Sequence, residues 1–225
     1  MLEDKIDLIS KDISLNEKKL KDKRFEHGCL IIKEANTWVN EAKNRPIPNM
    51  LFSELWYENE VCILFSDTNL GKSILAVQIA DSISKRIRIP GFKLESSSKK
   101  VLYLDFELSD KQFENRCSQE YENHYKFNKN FLRAELHTEL ELPKEYKNIE
   151  EYLCSTLSNT IIETKASVII VDNLTFLSSE NEKAKDALVL MKTLKKISRT
   201  NNVSILVLAH TPKRDESKPI SKNDL

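Results

Sequence analysis

The sequence predicts an α/β protein in which a parallel sheet carries helices on its faces and follows a helical N-terminal arm. Three observations carry this reading. From residue 60 onward, short runs rich in Val, Ile and Leu alternate with stretches of helical period, the pattern of βαβ units with strands buried on both sides. Glycine is scarce: Gly28, Gly71 and Gly91 are the only three, against an average usage of about 7%, so each is expected where the backbone requires it. One of them, Gly71, is followed by Lys72-Ser73 and falls between the first apolar run and the first helix of the alternating region.

Taken in order, residues 1–24 are densely charged with both signs, and Leu2, Ile6, Ile9, Ile13 and Leu20 recur at steps of three and four. That spacing gives an amphipathic helix with a narrow apolar stripe. A second helical stretch runs from Cys29 to Asn44 and stops before Pro46-Ile47-Pro48, which cannot continue a helix. A boundary there separates an arm, residues 1–45, from a core, residues 46–225. In the core, Glu60–Ser66 reads as a buried strand and Lys72–Ile87 as a helix closed by Pro90-Gly91. Lys100–Phe106 is the next strand, and Ser109 with Gln112 forms a capping box opening the helix after it. Phe131–Leu136 is a weaker strand and Asn148–Thr164 a helix. Ser167–Val171 is a fully apolar strand. Glu182–Thr200 is a helix facing inward with Leu188, Met191, Leu194 and Ile197, and Val203–Ala209 is the last strand.

Composition narrows the function classes. Hydrophobic residues make up 40% and charged residues 31%, so a packed core is within reach. Lys+Arg and Asp+Glu are both 35; a net charge of zero excludes the uniformly basic footprint of a general nucleic-acid binder, though not a local basic patch. Cys29, Cys62, Cys117 and Cys154 are widely spaced with no C-x-x-C pair, which argues against a disulfide framework or a zinc module. With no apolar run of membrane length and no leader-like start, a cytoplasmic protein without membrane partners is expected.

The chemistry concentrates at four strand ends. Ser66-Asp67-Thr68-Asn69-Leu70-Gly71-Lys72-Ser73 matches the phosphate-binding loop G-x-x-x-x-G-K-[ST] except at its first position, where Ser66 replaces glycine. Such a loop curls successive backbone N–H groups around phosphates at a helix N-terminus. Lys72 then meets the β- and γ-phosphates, and the Ser73 hydroxyl meets Mg²⁺. Asp172 closes the apolar strand SVIIV as a metal-side carboxylate. The next residue is Asn173, so the carboxylate that activates water is sought elsewhere. Glu107 at the end of VLYLDFE is the candidate, with Asp105 deeper on the same strand. His210 ends the last strand, where a polar group can contact the γ-phosphate. The basic residues Lys213, Arg214, Lys218 and Lys222 that follow read as a solvated tail.

Together, EVCILFSDTNLGKS, VLYLDFELSDKQF, SVIIVDN and VLAHTPK resemble the RecA/DnaB-type P-loop ATPases, close to the RepA-like hexameric helicase branch of the AAA family ATPases. The resemblance spans about residues 46–215. It implies a RecA-like sheet and ATP with Mg²⁺ held by Lys72, Ser73 and Asp172. It further implies Glu107 as catalytic base, His210 as γ-phosphate sensor, and a ring of identical subunits with ATP between them. Such domains continue with further strands and a trans-acting Arg or Lys, so the core is expected to be C-terminally incomplete. Two functions follow as expectations: a motor on single-stranded DNA in replication or mobile-element maintenance, or a nucleotide-dependent switch that recruits partners without unwinding.

Overall fold

The computed structural model describes residues 25–27, 30–137, 139, 141–173 and 185–210. They fall into two compact units, one ending at Ile47 and the other beginning at Pro48.

In the first unit, β1 (Phe25–His27) and β2 (Leu30–Ile32) pair antiparallel, with Phe25 opposite Ile32. Helix α1 (Ala35–Ala42) follows. The helix expected from Cys29 to Asn44 is thus half right: its first turn is a strand. Ile31 and Ile32 are β-branched, lose rotamers in a helix, and fit a pleated ribbon better. Lys33 spans the unit, bonding Glu41 at 2.5 Å and lying 4.7 Å above the Trp38 ring. The stripe from Leu2 to Leu20, Cys29, the start of the Glu182 helix and the tail beyond His210 lie outside the described residues.

The second unit opens with a ribbon unforeseen in the sequence, β3 (Met50–Phe52) against β4 (Trp56–Tyr57). Strands of two and three residues are too short to show a period. Five strands then form one parallel sheet: β5 (Val61–Ser66), β6 (Val101–Asp105), β7 (Phe131–Ala134), β8 (Val168–Asp172) and β9 (Ser204–His210). Their spatial order is β5-β9-β8-β6-β7. Helices α2 (Lys72–Lys85), α3 (Asp110–Arg116), α4 (Ile149–Thr164) and α5 (Lys185–Asn201) lie between the strands in sequence. Expected and observed bounds differ by a few residues at most, as helix and strand ends do.

Local signals explain several ends. Ser109 caps α3 through the capping box with Gln112, and Asn148 caps α4 by accepting from Glu151 N at 2.8 Å. Helix α2 closes on Arg86 in the left-handed conformation. Packing explains the rest. Leu102, Leu104, Ile169, Val171, Ile205 and Val207 form one core with α4 and α5, including Leu157, Ile161, Leu194 and Ile197. The alternate residues Val101, Tyr103, Val168, Ile170, Leu206 and Leu208 form the other with α2 and the ribbon, including Ala76, Ile79, Ile83 and Trp56. Ile169, Ile170 and Ile205 are fully buried, each worth roughly 1.5–3 kcal/mol of transfer free energy.

The topology fixes where a site can form. All strands run the same way, so their C-terminal ends share one edge. The chain leaves β5 through α2 and re-enters the sheet at β6, with β9 and β8 in between. Such a switch opens a crevice beyond the strand ends.

Candidate functional site

Strand β5 ends at Ser66, and α2 begins at Lys72. In the loop between them Asn69 (φ 65°) and Gly71 (φ 84°) are left-handed, on either side of Leu70. Glycine adopts this geometry without penalty and asparagine tolerates it. The alternation turns backbone N–H groups to one side, at the positive end of a helix whose first turn holds no acidic residue. Ser66 is not among the residues with positive φ; it is an ordinary end of a strand, so the glycine of the pattern is not needed here.

Lys72 is buried, and its Nζ donates to the carbonyls of Ser66 (2.7 Å) and Asp67 (2.8 Å) and lies 3.2 Å from His210 Nδ1. Among the described residues it has no carboxylate partner. A buried ammonium answered only by neutral acceptors is an unfinished charge pair. Ser66 and Asp67 serve through their backbone, and Leu70 is exposed. Thr68, Asn69, Gly71, Lys72 and Ser73 line a cleft of about 270 Å³, joined there by Glu107, Asp172 and His210. The four strand-end motifs therefore meet in one place.

Asp172, 3% exposed, accepts from the Tyr103 hydroxyl at 2.5 Å. Burial pushes its carboxyl up, the hydrogen bonds from Tyr103 and Ser73 oppose this, and the nearby Glu107 and Asp105 charges add to the rise. Burial beside the same carboxylate drives the Tyr103 hydroxyl far above the ordinary phenol range. Asp105 is also buried but is committed elsewhere: it accepts from Leu108 N at 3.0 Å, Glu107 N at 3.2 Å and Arg133 Nε at 3.0 Å. These bonds turn the chain after β6 and aim Glu107 at the cleft. Asn173 Nδ2 donates to Glu107 Oε1 and lies 3.0 Å from His210 Nε2. The His210 ring thus stands between Lys72 and the Glu107 carboxylate, its Nε2 3.5 Å from Glu107 Oε1.

Sequence reading missed Tyr103, Asn173 and Arg133 as site partners. Their roles depend on which strands are neighbours, and nothing in a single strand reveals that.

A family model described as an AAA domain matches residues 32–216, which include every residue of this cleft. The chain is an AAA-type P-loop ATPase. Its five-stranded parallel sheet with flanking helices is the RecA-like P-loop NTPase fold, and its activity class is nucleotide-dependent ATP hydrolysis. No curated protein matches the ATPase. Among the described residues no helix is long and apolar enough to cross a membrane.

The donors of the cleft suit Mg²⁺. Ser73 and Asp172 offer hard oxygen atoms, and Mg²⁺ is held by one or two such ligands together with substrate phosphates, not by an all-protein cage. The Glu107 and Asp105 charges that raise the Asp172 carboxyl are what a divalent cation beside it would offset.

Proposed function

We propose that this ATPase hydrolyses ATP with Glu107 as general base and uses the cycle to drive an oligomeric motor on single-stranded DNA. The observation that carries the catalytic part is the buried Lys72 with no acidic partner among the described residues, in a cleft that also gathers Ser73, Asp172, Glu107 and His210. The triphosphate supplies the missing counter-charge: Lys72 exchanges the Ser66 and Asp67 carbonyls for β- and γ-phosphate oxygens, and the loop N–H groups cradle the rest. Ser73 and Asp172 would hold Mg²⁺, which would neutralise charge developing on the phosphates. Glu107 orients the attacking water and takes its proton. His210, released from Lys72, turns to the γ-phosphate.

The motor part is supported by the likeness of the four ordered motifs to the RepA-type hexameric helicase branch. On this reading the ATPase works in the cytoplasm, as a ring of identical subunits serving replication or mobile-element maintenance. The zero net charge favours a second reading, a nucleotide-dependent switch that recruits partners without unwinding. ATP turnover measured with and without single-stranded DNA separates them. Stimulation with oligomer formation supports the motor; turnover indifferent to DNA supports the switch.

A further inference from the structure

The geometry points to Tyr103 as a positioning residue that aims the Asp172 carboxylate at the metal. The inference rests on the reading of Asp172 given above. Strands β6 and β8 pair with Tyr103 opposite Ile170 and Asp105 opposite Asp172, so Tyr103 and Asp172 are diagonal neighbours on the α2 face. Diagonal neighbours on one face stand farther apart than directly opposed ones, a gap that a long aromatic side chain bridges and a short one does not. Tyr103 bridges it: its hydroxyl donates to Asp172 Oδ2 at 2.5 Å.

The ring is 1% exposed, belongs to the α2-side core, and stacks on Phe131 at a centroid distance of 6.0 Å. It cannot swing away without opening that core. Packing alone does not call for a hydroxyl here, since the strand is otherwise apolar from Val101 to Leu104. The phenol instead engages Oδ2, while Ser73, which lines the cleft with Asp172, is the carboxylate's other side-chain partner. Outer partners that hold a ligating carboxylate in this way typically change metal affinity by about 10–100-fold when removed.

The test is calorimetry of ADP binding to the full chain, with and without Mg²⁺. Tyr103→Phe keeps the ring and its packing and deletes only the hydroxyl. Mg²⁺ is expected to strengthen ADP binding about tenfold less in Tyr103→Phe than in the wild type, at the lower end of that range. Binding without Mg²⁺ stays the same. Asp172→Asn loses the Mg²⁺ enhancement, and adding Tyr103→Phe to it changes nothing further, as coupled residues require. An undiminished enhancement in Tyr103→Phe overturns the inference, as does a further loss in the Asp172→Asn background. A readout without substitution uses 3-fluorotyrosine labelling: the buried tyrosine signal moves when Mg²⁺ joins the ADP complex, and a stationary signal overturns the inference. A wild type whose ADP affinity ignores Mg²⁺ overturns the functional reading and the inference with it.

Discussion

The two faces of the central sheet are built from the same strands and obey different rules. Toward α4 and α5, strands β6, β8 and β9 present Leu102, Leu104, Ile169, Val171, Ile205 and Val207, apolar from end to end. Toward α2 the alternate positions end polar: Val101, Tyr103, Asp105; Val168, Ile170, Asp172; and, after a buried Ser204, Leu206, Leu208, His210. The first face uses every position for cohesion. The second gives the last position on each of these strands to a polar group, burying Asp105 and Asp172. Chemistry gathers at the edge where the N-terminus of α2 stands, so stability and function separate by face and by depth.

The largest expected effect is on turnover. Glu107→Gln keeps the shape and the hydrogen bond from Asn173 and removes the base. Phosphate release is expected to fall by about 10²–10⁴-fold while calorimetric ATP affinity holds. Asp105→Asn instead loosens the turn that aims Glu107 and weakens the fold. If Glu107→Gln turns over normally and Asp105→Asn does not, the base has been assigned to the wrong carboxylate.

Next comes binding. Lys72→Ala removes a buried cation that donates to the Ser66 and Asp67 carbonyls and has no carboxylate partner among the described residues. Nucleotide affinity is expected to drop by about 2–5 kcal/mol, the scale for truncating a buried charge pair, with the melting temperature not lowered. Undiminished affinity would break the assignment of the whole cleft.

The opposite face supplies the control. Ile169→Ala, in the fully apolar α4/α5 core, is expected to lower unfolding free energy by about 2–5 kcal/mol in a urea titration. ADP affinity of the folded protein stays unchanged. A variant that loses affinity and keeps its stability would erase the distinction between the faces.

Much of this was legible in the sequence, for identifiable reasons. Strands β6, β8 and β9 are apolar on both faces, so VLYLDF, SVIIV and VSILVLA stand out as runs, and parallel order follows from the helices between them. Gly71-Lys72-Ser73, Asp172, Glu107 and His210 could be placed at one edge because parallel strands share their C-terminal ends. The β3–β4 ribbon was illegible because it lasts two or three residues. Leu30–Ile32 misled because a short aliphatic run reads equally as a helix stripe or a strand. The partners Tyr103 and Arg133 were hidden for another reason. Their contacts cross from strand to strand, and the order β5-β9-β8-β6-β7 is not written in any local pattern.

The smallest effect is the most diagnostic of the trade on the α2 face. Burial raises the Asp172 carboxyl above its unfolded value, and Glu107 and Asp105 add to the rise. A carboxyl raised in the folded state favours the proton there. Its contribution to stability is therefore present below the unfolded value near pH 4 and lost as pH rises through the higher folded one. At neutral pH the nucleotide-free ATPase holds this charge at a disadvantage. Asp172→Asn removes the charge, and its amide oxygen can still accept from Tyr103. The variant is expected to be more stable than the wild type at pH 7, by about 1 kcal/mol or ~2–4 °C in melting temperature for a chain of this size. The gain shrinks as pH is lowered into the carboxylate range, where the wild-type carboxyl is protonated and the two chains become alike. Mg·ADP reverses the order, because the cation needs the charge that the variant lacks. Melting curves at pH 4 and pH 7, each with and without Mg·ADP, measure all three comparisons. A variant less stable than the wild type at pH 7 would show that Tyr103 and Ser73 already satisfy the buried carboxylate in full, and that this face gives up nothing for its chemistry.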